Sequence, residues 1–222
     1  MNLKDLLPKK SDIDSEIWVT DFDGHAAIEF REQMLEASKE DPRKPIVVYI
    51  HSYGGAVDVL ASMIETMDEV PNPIITVAHG MSMSCGAVLL SHGDMRFVGA
   101  NSRVMVHEVS GGVGPDDVHN MLSDATEAKR LNKWFMGLLA KNCGIKGGYE
   151  AVRKLIKNQD GRNNWMGAEE AVAFGIADSI GLPSIKRGTV YQINIVPKKG
   201  ELTTTEPKKP KKKDKGIKQS KE

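Results

Sequence analysis

The chain has 222 residues, 40% of them hydrophobic and 27% charged, and its 30 basic residues match 30 acidic ones. That length is enough to bury a full core, and that balance excludes a chain disordered throughout or a collagen-like one. Two cysteines, Cys85 and Cys143, are too few for a disulfide framework or a cysteine-based zinc cluster and read as reduced thiols.

No apolar run nears the roughly 20 residues of a membrane helix, and MNLKDLLPKKSD does not read as a secretory signal. A cytoplasmic protein with no membrane partner is therefore expected. Charge is uneven: residues 208–222 hold eight lysines against Asp214 and Glu222. That stretch is nearly free of apolar residues, so it is expected to be a solvated, disordered tail rather than a nucleic-acid site.

In chain order, Ile17-Trp18-Val19 reads as a short strand. Ala27, Phe30, Met34 and Ala37, spaced 3, 4 and 3 apart, make one face of a helix that must end by Asp41-Pro42. IVVYI (46–50) is a buried strand that runs into His51-Ser52-Tyr53-Gly54-Gly55. A second helix carries Val57, Leu60, Ile64 and Met67, and Pro71-Asn72-Pro73 closes it. The next strand is Ile74 to Ala78, followed by a serine-containing turn and a helix from about Ser84 to Ser91.

Met95 to Val98 and Arg103 to His107 read as two more strands. Pro115-Asp116-Asp117 opens a helix of roughly 25 residues, with a stripe of Val118, Met121, Leu122, Ala125, Leu131, Phe135 and Leu138. A helix around Glu150 to Lys157, a turn at Asp160-Gly161 and the segment Gly167 to Phe174 complete the body. Alternating strands and helices predict parallel strands joined by crossovers, with functional loops at the strands' carboxyl ends.

Two candidate loops sit at such ends. In HGMSMSCGA (79–87) a serine on a tight strand-to-helix turn exposes its Oγ while the helix start offers free N–H groups. Ser84 fits better than Ser82, because Gly86 two places on allows the close turn of a G-x-S-x-G elbow, with Ser82 in the place of the first glycine. Gly54-Gly55 is a place where backbone amides can approach a ligand with no Cβ in the way, or simply a tight turn. His107 ends an apolar strand and is either a structural histidine or a base. His79 stands near the turn but is expected to point elsewhere, and His51 is expected to hydrogen-bond within the glycine turn. His25, His92 and His119 have no partner at metal-ligand spacing, so neither metal nor cofactor is expected. The 11 methionines read as adaptable core.

YIHSYGG (49–55), GMSMSCGA (80–87), NSRVMVH (101–107) with Gly111-Gly112, and WMGAEEAVAFGIAD (165–178) together resemble ClpP, the proteolytic subunit of the Clp protease. The resemblance spans about residues 17 to 182 and implies an α/β fold of the ClpP/crotonase type. That fold has repeated β-β-α units, a parallel sheet flanked by helices, and a long projecting handle helix at about 116–142. It implies a serine endopeptidase in which Ser84 is the nucleophile, His107 the general base, Gly55 and Cys85 the oxyanion-hole amides, and Gly111 and Gly112 the edge that receives substrate as an added strand.

The family's triad aspartate falls on Asn163, so the expected catalytic set is Ser84, His107 and Asn163. Rescue by Asp160 and a weakly active subunit remain open alternatives. Asp178 falls outside the triad and is expected to be structural. Residues 1–16 would be an N-terminal, axial segment, 17–197 the protease domain and 198–222 the tail. The resemblance further implies homo-oligomeric, heptameric rings, peptide or unfolded-polypeptide substrates and an AAA+ unfoldase partner, although MNLKDLLPKKSDID does not match the family's N-terminal segment. An inactive subunit of a mixed ring and a crotonase-type acyl-CoA enzyme are the rival readings. ATP itself is not expected to bind, since the sequence has no GxxxxGK[ST] loop.

Overall fold

The computed structural model describes residues 16–111, 117–157, 163–186 and 192–196. The expected axial segment up to Ser15, Gly112, the expected turn at Asp160-Gly161 and the Lys-rich tail lie outside them. In chain order the elements are β1 (Glu16–Val19), α1 (Gly24–Glu40), β2 (Ile46–Ser52), α2 (Val57–Glu69), β3 (Ile74–Met83), α3 (Cys85–Ser91), β4 (Met95–Val98) and β5 (Arg103–His107). Then follow α4 (Val118–Asn142), α5 (Gly148–Lys157), β6 (Asn163–Met166), α6 (Ala168–Phe174), β7 (Ser179–Ile180), β8 (Leu182–Lys186) and β9 (Gln192–Val196).

The apolar periodicities fold as their spacing dictates. Asp23 caps α1 by accepting the Ala26 N–H at 2.8 Å, and the helix buries Phe30, Met34 and Ala37. Helix α2 buries Leu60, Ile64 and Met67 on the face the sequence marks, with Val59 and Met63 beside them. All seven residues of α3 are buried. A seven-stranded sheet runs β1-β2-β3-β4-β7, while β5 pairs with β3 and β6. Parallel pairing, as expected from the alternating pattern, holds for every pair in it but one: β6 lies antiparallel to β5. Strand β6, NNWM, is too short to carry a periodicity of its own.

Strand β3 is twice the length expected. It does not stop at Ala78 but continues to Met83, and it changes partner on the way. Ile75 to Ala78 pair with β4, whereas Met81 to Met83 pair with β5. The change falls around Gly80, whose φ of 93° a side chain would resist and whose N–H donates to Ser102 Oγ at 2.9 Å. Gly80 is the bend that lets one edge of the strand serve two neighbours.

Helix α4 starts at a cap, Asp117 accepting from the His119 and Asn120 N–H groups, and runs 25 residues. Its buried residues are Phe135, Met136, Leu139 and Ala140, so of the expected stripe only Phe135 is fully covered. The reason is the neighbour: α5 packs on α4, and the first half of the helix leaves Val118 (69% exposed) and Leu122 (61%) in solvent. Asp178 is structural, as expected: its carboxylate meets the Arg96 guanidinium, which also donates to the Asn142 and Gly175 carbonyls. The antiparallel hairpin of β8 and β9 has no counterpart in the sequence reading. Among the described residues no helix is long and apolar enough to cross a membrane.

Candidate active site

The site grows out of the second half of β3. Beyond Met83 the chain turns sharply at Ser84, with φ 53° and ψ −117°, the single non-glycine residue of positive φ among those described. A strained backbone of that kind costs about 1–3 kcal/mol, and the burial of α3 behind it holds it in place. The Ser84 N–H donates to Met105 O at 2.8 Å, and the Ala87 and Val88 N–H groups donate to Ser84 O at 3.0 and 3.3 Å. The turn is thus tied forward into α3 and sideways into β5, and its side chain faces out.

Two residues past Met105, strand β5 ends in His107. Its Nε2 lies 2.8 Å from Ser84 Oγ. The ring is half-buried, and burial lowers its pKa below the usual 6.5, which favours the neutral imidazole that can accept a proton. Ser84 and His107 therefore meet because their strands are in register, Met83 against Met105, and not because they are near in sequence.

The glycine turn after β2 packs directly on this pair. A Cβ on Gly54, whose φ is 98°, would stand 2.6 Å from Ser84 Cβ and 3.2 Å from its Oγ. A Cβ on Gly55 would stand 2.5 Å from Phe22 O. Gly55 forms a parallel bridge with Phe22, and the Ala56 N–H makes the bond, at 2.9 Å from Phe22 O. No hydrogen bond to the Gly55 N–H is found among the described residues, and the Cys85 N–H, at the first position of α3, has no intrahelical acceptor. The two amides named from the sequence thus flank the serine and are not taken up by secondary structure.

Asn163 stands directly opposite His107 in the β5–β6 register, which puts both side chains on one face of the sheet. It is exposed, and no hydrogen bond joins its side chain to the ring. Asp160 and Gly112 are outside the described residues. Gly111 has nothing within 4 Å of the position a Cβ would take, so the edge beside it is open.

Other sequence candidates are placed away from the serine. His79 turns its ring edge-on to Trp18 and Tyr49, 5.3 and 6.0 Å between ring centroids. His51 bonds through Nδ1 to His79 O at 2.8 Å, over Gly80. His92 pairs with Asp68 at 2.9 Å, and His25 lies 3.6 Å from Glu29. No group of three His, Cys, Asp or Glu among the described residues could hold a metal ion.

A hydrogen-bond network beside His107 escaped the sequence reading. The Val109 N–H donates to Asn132 Oδ1 at 2.9 Å, and Glu108 accepts from Arg153 Nε at 2.7 Å and Asn132 Nδ2 at 3.3 Å. Burial would raise the Glu108 carboxyl, yet the bonds to Arg153 and Asn132 prevail and hold it below the usual carboxylate range. This network fastens the segment after His107 to α4 and α5. Nothing in the sequence singles out Asn132 or Arg153, because each acquires its partner only when two helices pack.

The Clp protease family matches residues 12–183, a span that holds the elbow, the glycine turn, both strands beside the base and α4. The chain belongs to the Clp protease family. Membership accounts for the α/β architecture with its parallel sheet flanked by helices, and it makes this a ClpP-type peptidase at the level of the family. At Gly54 an added Cβ would meet the Ser84 side chain itself. We expect Gly54→Ala to fold but to lose at least tenfold in reactivity at Ser84, since the new methyl displaces the serine side chain. Labelling by a fluorophosphonate probe, alongside circular dichroism, measures both.

Proposed function

We propose that the chain is a serine endopeptidase working through Ser84, His107 and Asn163. The 2.8 Å approach of Ser84 Oγ to His107 Nε2, on a strained turn, is the observation that carries this reading. Oγ forms a bond to the scissile carbonyl carbon as its proton passes to Nε2. The carbonyl electron pair becomes an oxyanion facing the Gly55 and Cys85 amides. Collapse breaks the C–N bond, and the amine leaves with the proton from Nε2. Water then repeats the sequence on the acyl-enzyme, with His107 again as base, and releases the acid and free Ser84. The peptide would lie as an added strand beside Gly111 and Gly112.

Asn163 supplies orientation without charge. Its register opposite His107 supports a role in turning the ring, while an aspartate there would also stabilise the imidazolium. The absence of a bond from Asn163 to the ring also favours a second reading, a catalytically weak subunit of a mixed ring. The same family frame and the solvent-exposed Val118, Met121 and Leu122 on α4 support assembly into rings that enclose a chamber, with unfolded polypeptide as substrate and an AAA+ unfoldase as partner.

Ser84→Ala should abolish fluorophosphonate labelling and peptide hydrolysis together; labelling that persists in this variant would refute the assignment. Sedimentation of the full chain should show an assembly of many subunits, and a monomer would count against the chamber.

The pH profile separates the two roles of residue 163. Because burial lowers the His107 pKa, the neutral base persists to lower pH, so the acid limb of kcat/KM should have its midpoint below 6.5. Asn163→Asp adds a negative charge that favours the imidazolium, so the midpoint should move up and turnover at pH 8 should rise by roughly tenfold or more. An unshifted limb would show that residue 163 does not address the ring.

A further inference from the structure

The turn from Gly54 to Ala56 is held from behind by side chains of its own neighbours, and we infer that Cys85 and Ser52 are positioning residues whose side chains aim the oxyanion-binding amides. This rests on the peptidase reading above. Ser52 is fully buried and its Oγ accepts the Gly54 N–H at 3.1 Å. Cys85 is also fully buried, and its Sγ donates to Gly55 O at 3.3 Å, with Ala56 O at 3.8 Å. The Ala56 N–H goes to Phe22 O, and Ala56 O receives the Leu60 N–H at 3.2 Å, the first turn of α2.

The pattern of bonds is selective. Of the three amides in the turn, those of Gly54 and Ala56 are engaged, and the Gly55 N–H between them has no partner among the described residues. Peptide units are planar, so anchoring the amide before and the carbonyl after the Gly54–Gly55 bond restrains rotation of the plane that carries the Gly55 N–H. Glycines on both sides would otherwise leave that plane unusually free.

Cys85 couples the second donor to the first. Its own backbone N–H is the other proposed oxyanion amide, and its side chain grips the carbonyl of the residue bearing the first. One residue thus fixes the distance between both donors, which neither packing bulk nor an alanine in its place would do. Burial pushes the thiol up to about 11, so the S–H proton is present at neutral pH to be donated. Preorganised donors of this kind matter most where negative charge develops, and complete loss of one costs about 10²–10³ in turnover. A donor left in place but free to swing should cost a part of that.

The test is the rate of Ser84 phosphonylation by a fluorophosphonate in the full chain, read against probe concentration to separate maximal rate from half-saturation. Cys85→Ala should lower the maximal rate by about tenfold and leave half-saturation within about twofold, while Cys85→Ser, which restores a donor, recovers most of the loss. Ser52→Ala, a second site in another element, should lower the maximal rate in the same way. Measurements are made well below each variant's unfolding midpoint, where a loss of packing alone does not alter the maximal rate. Wild-type rates in folded Cys85→Ala and Ser52→Ala overturn the inference, as does a change confined to half-saturation. A wild-type chain that fails to react at all overturns the peptidase reading itself, which distinguishes the two failures.

Discussion

Everything at the candidate site depends on β3 having two partners along one edge, β2 holding the other. Its first half lies beside β4 and its second half beside β5, and the bend at Gly80 lets the strand cross from one to the other. Were β3 to end with its apolar run at Ala78, Ser84 would follow an unpaired loop and no register would relate it to His107. With the pairing in place, the Ser84 N–H is bonded to Met105 O and the hydroxyl arrives at the imidazole two residues further on. A hydrogen-bonded ladder is a stiff ruler, which is what a nucleophile and base need when their useful separation is defined to a few tenths of an ångström.

The same economy of space explains the small residues around the turn. Gly54 lies so close to Ser84 that a methyl group has no room, Gly55 so close to Phe22 that it has none either, and a Cβ on Gly86 would stand 3.3 Å from Ile50 and 3.5 Å from Ser82 Oγ. Ser82 itself is fully buried opposite Ser52 in the strand register, and its Oγ has no hydrogen-bond partner among the described residues. Leaving a buried hydroxyl unpaired costs roughly 1–3 kcal/mol. Together with the backbone strain at Ser84, that makes the elbow a locally unfavourable structure supported by the fully buried helix behind it.

Around this rigid centre the molecule leaves other surfaces open. The first half of α4 exposes apolar side chains to solvent, and the segment after His107 is fastened to the second half of the same helix through Asn132. Helix α4 presents apolar residues at one end and, through Asn132, holds the segment after His107 at the other. The proposed base and the proposed chamber would therefore share one element.

Much of this was legible along the chain. Helices α1 and α2, strands β2, β4 and β5, and the sharp turn at Ser84 follow from local causes: apolar residues at helical spacing, β-branched runs, a cap and a glycine two places past a serine. What required the tertiary structure was every relation between distant segments. The antiparallel placement of β6 brings Asn163 opposite His107, the shared partner strand joins Ser84 to the same ring, and helix packing gives Asn132 and Arg153 their roles. The thiol of Cys85 acquires a partner only when the turn after β2 delivers the Gly55 carbonyl to it. Periodicity and turn chemistry act over a few residues and so can be read from them, whereas register and packing are settled by which surfaces bury one another, and no single segment contains that information.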